Sequence, residues 1–232
     1  MKRFTLAALL FSAPALAQEP PTTITATTDS SSPPTISRGT FEAPGDVDTF
    51  RVYLEQGKDY AVGAEGQTTE WTLTGPTGTV LYQNNSYGDA DWGYEFRAGR
   101  TGWFTVRGVK QDFEEDTYPA HYLVRAVNDC RSTIKTRCIL KPGQSVSRNF
   151  GFGSDKDVYQ LRGLTTGRRY SIGLPSINRA TELELLDGNG KVLAKTADGV
   201  PLAFRASSTT RFVRAKVVDG MGWAAYQLSL TQ

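Results

Sequence analysis

One stretch of this chain occurs twice, and it narrows the folds open to it more than any other feature. Asp46-Val-Asp48-Thr-Phe50-Arg-Val52 returns 109 residues later as Asp155-Lys-Asp157-Val-Tyr159-Gln-Leu161. In each copy two acids flank one residue, and apolar residues then alternate with polar ones. That pattern predicts a turn feeding a half-buried strand. Each copy continues to a glycine, a basic residue and an aromatic: Gly57…Tyr60-Ala-Val62 and Gly167…Tyr170-Ser-Ile172.

The surroundings extend the repeat. Alternation over Phe50, Val52 and Leu54 is followed by strand patterns at Tyr60-Ala-Val62, Trp71-Thr-Leu73, Val80-Leu81-Tyr82, Tyr94-Glu-Phe96, Trp103-Phe104-Thr-Val106 and His121-Tyr122-Leu-Val124. Trp71 and Trp103, lying on strands, are expected in the core. The second half keeps the order: Leu183 matches Trp71 at an offset of 112, Phe204 and Phe212 match Phe96 and Phe104 at 108, and Tyr226 matches Tyr122 at 104. Drifting offsets fit loops that vary while strands keep their order. One match fails, because Val106 then falls opposite Arg214, which implies a bulge or a different exposure. No segment carries helical 3,4 spacing over three turns. The expectation is an all-β chain of two tandem jelly-roll-like antiparallel β-sandwiches, over residues 38–128 and 144–232.

The shared order G-x-F…D-x-D-x-[F/Y]-x-[V/L]…G-x-x-Y-x-[V/I]…L-x-x-x-x-G-x-V-L…F-x-A…Y-x-L resembles the bacterial pre-peptidase C-terminal (PPC) domain over residues 38–127 and again over 144–231. The resemblance implies a jelly-roll-like sandwich of the kind attached to secreted peptidases. Its collagenase members bind collagen and calcium. Within these 232 residues no peptidase signature accompanies the two copies.

Residues 1–17 have the form of a secretory signal peptide. Lys2 and Arg3 precede an apolar run from Phe4 to Phe11, and Ala15-Leu16-Ala17 is a small-x-small cleavage site. The apolar run is too short for a transmembrane helix. Export, to the periplasm or the exterior, is the expectation. Residues 18–37, rich in Pro, Thr and Ser, read as an extended leader. Residues 129–143 read as a connector between the sandwiches. It carries the only cysteines, Cys130 and Cys138, and export predicts that they form a disulfide, two free buried thiols being the alternative.

Net charge hides an asymmetry. Residues 18–129 carry 8 basic and 17 acidic side chains, a net of −9, whereas residues 130–232 carry 16 and 7, a net of +9. Opposite halves imply mutual docking, an anionic partner for the second half, or both, with surface charge of no function as the alternative.

The familiar catalytic patterns are missing. The single histidine, His121, lies beside Tyr122 on a strand, and no G-x-S-x-G elbow occurs. Gly151-Phe-Gly153 lacks the third glycine of a nucleotide loop, and Asp187-Gly-Asn-Gly190-Lys lacks the later ligands of an EF-hand and reads as a hairpin turn. Carboxylates that could meet at calcium are Asp46 with Asp48, Asp89 with Asp91, and Asp112, Glu114 and Asp116. The last three are the expected metal candidates, while the Asp-x-Asp pairs read first as turn-makers that bond local amides. Calcium is thus a possible cofactor, and none is required.

Candidate contact residues are Tyr87, Trp92 and Tyr94 in a Gly-rich loop, able to stack on sugars or anchor a protein, and Arg131, Arg137, Arg168 and Arg169 for anionic groups. No aromatic-interleaved basic motif points to nucleic acid. The expected function is that of an exported, non-catalytic binding or envelope-associated accessory protein that contacts protein or polysaccharide. The alternatives are an assembly protein using its acidic and basic halves to self-associate, and a hydrolase built on carboxylates alone.

Overall fold

The computed structural model describes residues 20–26, 36–66, 69–85, 92–111, 119–150, 155–175, 177, 180–218 and 224–232, all strand, turn or irregular, with no helix among them. Nine strands make the first sandwich: β1 Thr22–Ile24, β2 Ile36–Phe41, β3 Val47–Leu54, β4 Asp59–Gly66, β5 Thr69–Thr74, β6 Val80–Asn85, β7 Trp92–Arg97, β8 Gly102–Lys110 and β9 Ala120–Asn128. Nine more make the second: β10 Ile139–Leu140, β11 Ser145–Phe150, β12 Lys156–Leu161, β13 Arg169–Gly173, β14 Thr181–Leu186, β15 Val192–Ala197, β16 Leu202–Arg205, β17 Phe212–Val217 and β18 Ala224–Thr231.

The topology repeats strand for strand. The first sandwich pairs a sheet β1-β3-β8-β5-β6 with a sheet β2-β9-β4-β7, and the second pairs β10-β12-β17-β14-β15 with β11-β18-β13-β16. Each layout is the other with nine added to every strand. Pairing is antiparallel except at one edge of each larger sheet, where β1 runs parallel to β3 and β10 parallel to β12. Alternation along each strand sends Phe50, Val52, Leu54, Leu73 and Phe104 from one sheet, and Tyr60, Val62, Phe96 and Val124 from the other, into one core. Leu161, Leu183, Val213, Tyr170, Ile172 and Leu228 do the same in the second.

The repeated motifs have local causes. Gly57 and Gly167 take positive φ, 79° and 84°, in the turn before β4 and β13, a conformation glycine adopts at little cost. Their amides donate to Ala98 O and Ala206 O, both at 2.8 Å. Three residues on, the Tyr60 and Tyr170 hydroxyls accept from Glu55 N at 3.1 Å and Thr165 N at 3.0 Å. Glycine, tyrosine and F-x-A alanine are therefore one turn-locking device used twice.

Three expectations are corrected. The residues read as an extended leader supply β1, with Ile24 buried against the first core, and the 129–143 connector supplies β10, with Leu140 buried in the second. A short apolar residue at a parallel sheet edge carries too little periodicity to stand out from a Pro/Thr tract. The mismatch of Val106 with Arg214 also dissolves. Asp48 pairs with Gly108 and Asp157 with Ala215, so the offset in this strand is 107, and Val213 takes the place of Val106. A slip of one residue exchanges the faces of a strand. Arg214 accordingly points outward, 3.2 Å from Glu184. Third, Trp71 is buried but Trp103 is 42% exposed.

Candidate functional site

The residues between the cysteines form a wedge between the sandwiches. The Cys130–Cys138 disulfide, with Cα atoms 5.6 Å apart, closes the loop. Ile134 packs on Val158, Leu186 and Phe212, on the outer face of the second sandwich's larger sheet. The rest of the loop grips the outer face of the β2-β9-β4-β7 sheet. Ser132 N donates to Glu95 Oε2 at 2.7 Å, Arg97 donates to Lys135 O at 3.3 Å, and Arg137 donates to Gly57 O at 3.3 Å. Arg131 lies 3.9 Å from Asp59, whose carboxylate receives both arms of Arg97 at 2.9 and 2.8 Å. Arg131 and Arg137, expected to meet anionic ligands, are thus joined to the neighbouring sandwich.

Acidic residues from both sandwiches meet beside the wedge. Glu95 of β7, Asp129 just after β9 and Asp155 just before β12 each bring an oxygen within 4.8 Å of the others. Asp157 adjoins them, because Cys130 N donates to both Asp129 Oδ1 at 2.7 Å and Asp157 Oδ1 at 3.2 Å. Burial first, then the charges of Asp155 and Asp157, push the Asp129 carboxyl well above the ordinary aspartate range. Burial also raises Asp157, against hydrogen bonds to Asp129 and Tyr226 and the charge of Arg148. No donor among the described residues reaches Asp129 Oδ2, which is buried. An acid-lined oxygen of this kind is satisfied by a proton shared with a neighbouring carboxyl or by a cation.

These oxygen donors suit a hard divalent cation such as calcium. The expected metal residues Asp112, Glu114 and Asp116 lie outside the described residues. The site that does assemble draws on the second Asp-x-Asp stretch. Sequence spacing missed it because its four carboxylates span residues 95 to 157, and only the docking of two sandwiches brings them together.

In both copies the Asp-x-Asp stretch also does structural work. Asp46 accepts from Glu42 N and Val47 N at 2.9 and 2.8 Å, and Asp155 accepts from Lys156 N at 2.7 Å. The second aspartate of each copy accepts from a tyrosine of the opposite sheet, Tyr122 for Asp48 and Tyr226 for Asp157. Around the first copy a cleft of about 370 Å³ stays open, lined by Arg38, Glu42, Asp46, Asp48, Phe50 and Tyr122 among others.

The loop aromatics divide. Tyr87 lies outside the described residues, as does the Trp92 side chain. Tyr94 is half-buried, stacked on Tyr82 at 4.7 Å and Phe96 at 5.7 Å, so its ring belongs to the core rim. An exposed aromatic pair occurs instead at Tyr53 of β3 and Trp103 of β8, which face each other across the ladder. Their centroids are 5.4 Å apart, edge to face, and the Arg51 guanidinium sits 5.3 Å over the indole. Beside them the sheet presents Thr105, Thr72 and Thr74 outward. Strict alternation, applied from Phe104 rather than from Trp103, could have found this face.

The second sandwich closes its matching surface. There Gln160, Arg162 and Thr210 replace Arg51, Tyr53 and Trp103, and the outer face carries an ion-pair ladder. Lys216 contacts Glu182 at 2.8 Å and Glu184 at 3.0 Å, the hydrogen bond to Glu182 raising the lysine and lowering the glutamate. Arg168 and Arg169 are exposed at the start of β13, and His121 is exposed on β9.

The architecture defines an all-β protein of two tandem sandwiches, and no described helix is long and apolar enough to cross a membrane. No protein-family profile matches the chain, and no curated protein does. Among solved structures, the pre-peptidase C-terminal domain of a Bacillus anthracis collagenase aligns with 47% of this chain and 98% of its own length, at 10% identity and a TM-score of 0.33. The exported PBSX protein XepA covers 90% of each chain at 8% identity and 0.33, and the CUB1-EGF-CUB2 fragment of rat MASP-1 covers 90% and 100% at 8% and 0.29. None of the three supplies a ligand or a partner for this chain.

Proposed function

We propose that this protein is an exported, non-catalytic binding module that holds polysaccharide of the cell envelope against the outer face of the β1-β3-β8-β5-β6 sheet. The observation that carries the reading is the exposed Tyr53–Trp103 pair with Arg51 beside it. A large aromatic left in water on a sheet of threonines gains by stacking on the apolar face of a sugar ring, and the threonines can bond its hydroxyls. Arg51 favours a polymer bearing carboxylate or phosphate. The disulfide fits an oxidising compartment. Retention on immobilised anionic cell-wall polysaccharide tests the proposal, with uncharged dextran as the control. Trp103→Ala should weaken binding by about tenfold, and equal retention of parent and variant removes this face from the function.

A second element of the proposal concerns the cation. Glu95, Asp129 and Asp155, with Asp157 beside them, would hold calcium, the ion that the resemblance to the PPC domain brings into question without naming these ligands. Bound there, the ion would supply positive charge to four crowded carboxylates drawn from both sandwiches.

A further inference from the structure

The inter-sandwich contact has two halves, and the repeat supplies each half twice. One half is the sheet face around Asp59, Arg97 and Glu95, buried or half-buried under the wedge. The other is the Asp155-x-Asp157 strand start, buried against the first sandwich.

The second copies of both halves are open. Register puts Arg169 and Arg205 of β13 and β16 where Asp59 and Arg97 stand in β4 and β7, and Ala203 where Glu95 stands. Arg168, Arg169, Ala203 and Arg205 are all exposed, and Arg205 donates to Gly167 O at 2.8 Å, which holds its guanidinium at this edge. At the other end the Asp46-x-Asp48 strand start lines the open cleft, where, among the described residues, the carboxylates of Glu42, Asp46 and Asp48 outnumber the guanidinium of Arg38.

The charges of the open halves are opposite. Inside the chain acid meets acid, at Glu95 and Asp129 against Asp155 and Asp157. Between chains the same contact would set Arg168, Arg169 and Arg205 against Glu42, Asp46 and Asp48. We propose that the protein associates head to tail, the arginine edge of one copy's second sandwich docking in the carboxylate cleft of the next copy's first sandwich. The contact joins two different surfaces, so it is heterologous, and each added copy exposes a fresh cleft and a fresh edge. This goes beyond the polysaccharide reading and does not depend on it, because Trp103 and Tyr53 lie on a different sheet from the arginine edge and outside the cleft lining.

Sedimentation velocity on the purified full chain tests the contact at about 20 mM and about 500 mM salt, over a range of concentrations. The expected result is a concentration-dependent series of species larger than one chain at low salt, collapsing toward monomer at high salt. Glu42→Lys and Arg169→Glu should each weaken association by about tenfold or more. Both positions are exposed, and unchanged thermal melts would show both variants folded. Mixed together, the two variants retain one intact cleft and one intact edge. They should associate with one another more strongly than either variant does alone, as an edge-to-cleft contact requires. A wild-type chain that stays monomeric at low salt overturns the proposal, as does association that neither substitution weakens.

Discussion

The Tyr122 hydroxyl donates to Asp48 Oδ2 at 2.5 Å, tying β9 of one sheet to β3 of the other at the mouth of the first core. Tyr226 and Asp157 repeat the bond in the second sandwich, where Tyr159 replaces Phe50 and its hydroxyl lies 2.6 Å from that of Tyr226. Two tyrosines and an aspartate thus form a fully buried chain in one copy, whereas one tyrosine and a half-buried aspartate suffice in the other. Burial is the main cause lifting the Tyr159 and Tyr226 hydroxyls well above their ordinary range, so both remain protonated donors.

The difference in burial sets the first prediction. Tyr226→Phe removes a donor from a buried carboxyl and strands the Tyr159 hydroxyl, a loss of about 2–3 kcal/mol. Tyr122→Phe leaves Asp48 beside an open cleft where water can replace the hydroxyl, and should cost about 1 kcal/mol. Urea unfolding of both variants measures the contrast. Equal losses would show that burial does not decide the strength of this bond.

A second prediction concerns two glycines under aromatic rings. A Cβ on Gly108 would lie 2.6 Å from Trp71 Cζ3, and one on Gly39 would overlap the Tyr122 hydroxyl and Cζ. Both residues sit in strands, at ladder positions opposite those same aromatics. Gly108→Ala and Gly39→Ala should each destabilise the first sandwich by about 1–3 kcal/mol, since a packed ring can move only by shifting its neighbours. Gly78→Ala, with nothing within 4 Å of its would-be Cβ, is the steric control, although its positive φ of 81° carries a strain of its own.

These glycines show how far the sequence reached. Period-2 alternation and the repeated Asp-x-Asp stretch were enough to read an all-β chain of two sandwiches, because each strand's identity is written in its own residues. Trp103 faces water, against the inward expectation for a tryptophan on a strand, because its neighbour Phe104 holds the inward phase. The carboxylate junction was beyond reach for a different reason. Glu95, Asp129 and Asp155 are remote in sequence, and their meeting depends on how one sandwich docks on another, which no local pattern encodes.

The third prediction follows from the junction's chemistry. Asp129 and Asp157 have native values above their unfolded ones, so the native state binds their protons more tightly. The stability they contribute is complete below the unfolded value, about 3.9, and is lost as pH rises through the raised native values. With chelator present, the wild-type melting temperature should therefore fall, relative to Asp129→Asn, as pH rises above about 4. Calcium replaces the proton, so adding it at pH 7 should restore about 2–3 kcal/mol when present at about a hundredfold its dissociation constant. Asp129→Asn should gain far less. Identical melts in calcium and in chelator at pH 7 would dismiss the cation.

The last prediction separates the disulfide's two tasks. Closing an eight-residue span restricts the unfolded chain, and losing that restriction through Cys130→Ser with Cys138→Ser should cost about 2–3 kcal/mol. The same loop is the wedge on which Ile134, Ser132, Lys135 and Arg137 reach the two sandwiches. If the disulfide only stabilised the fold, the double variant would melt earlier as a single unit. Because it also shapes the wedge, hydrogen exchange in the double variant should speed up first at the Ser132 amide and in β7 and β12. The first core, which holds neither cysteine, should keep its protection until global unfolding. Uniform loss of protection across all eighteen strands would mean that the loop has no separate role in joining the sandwiches.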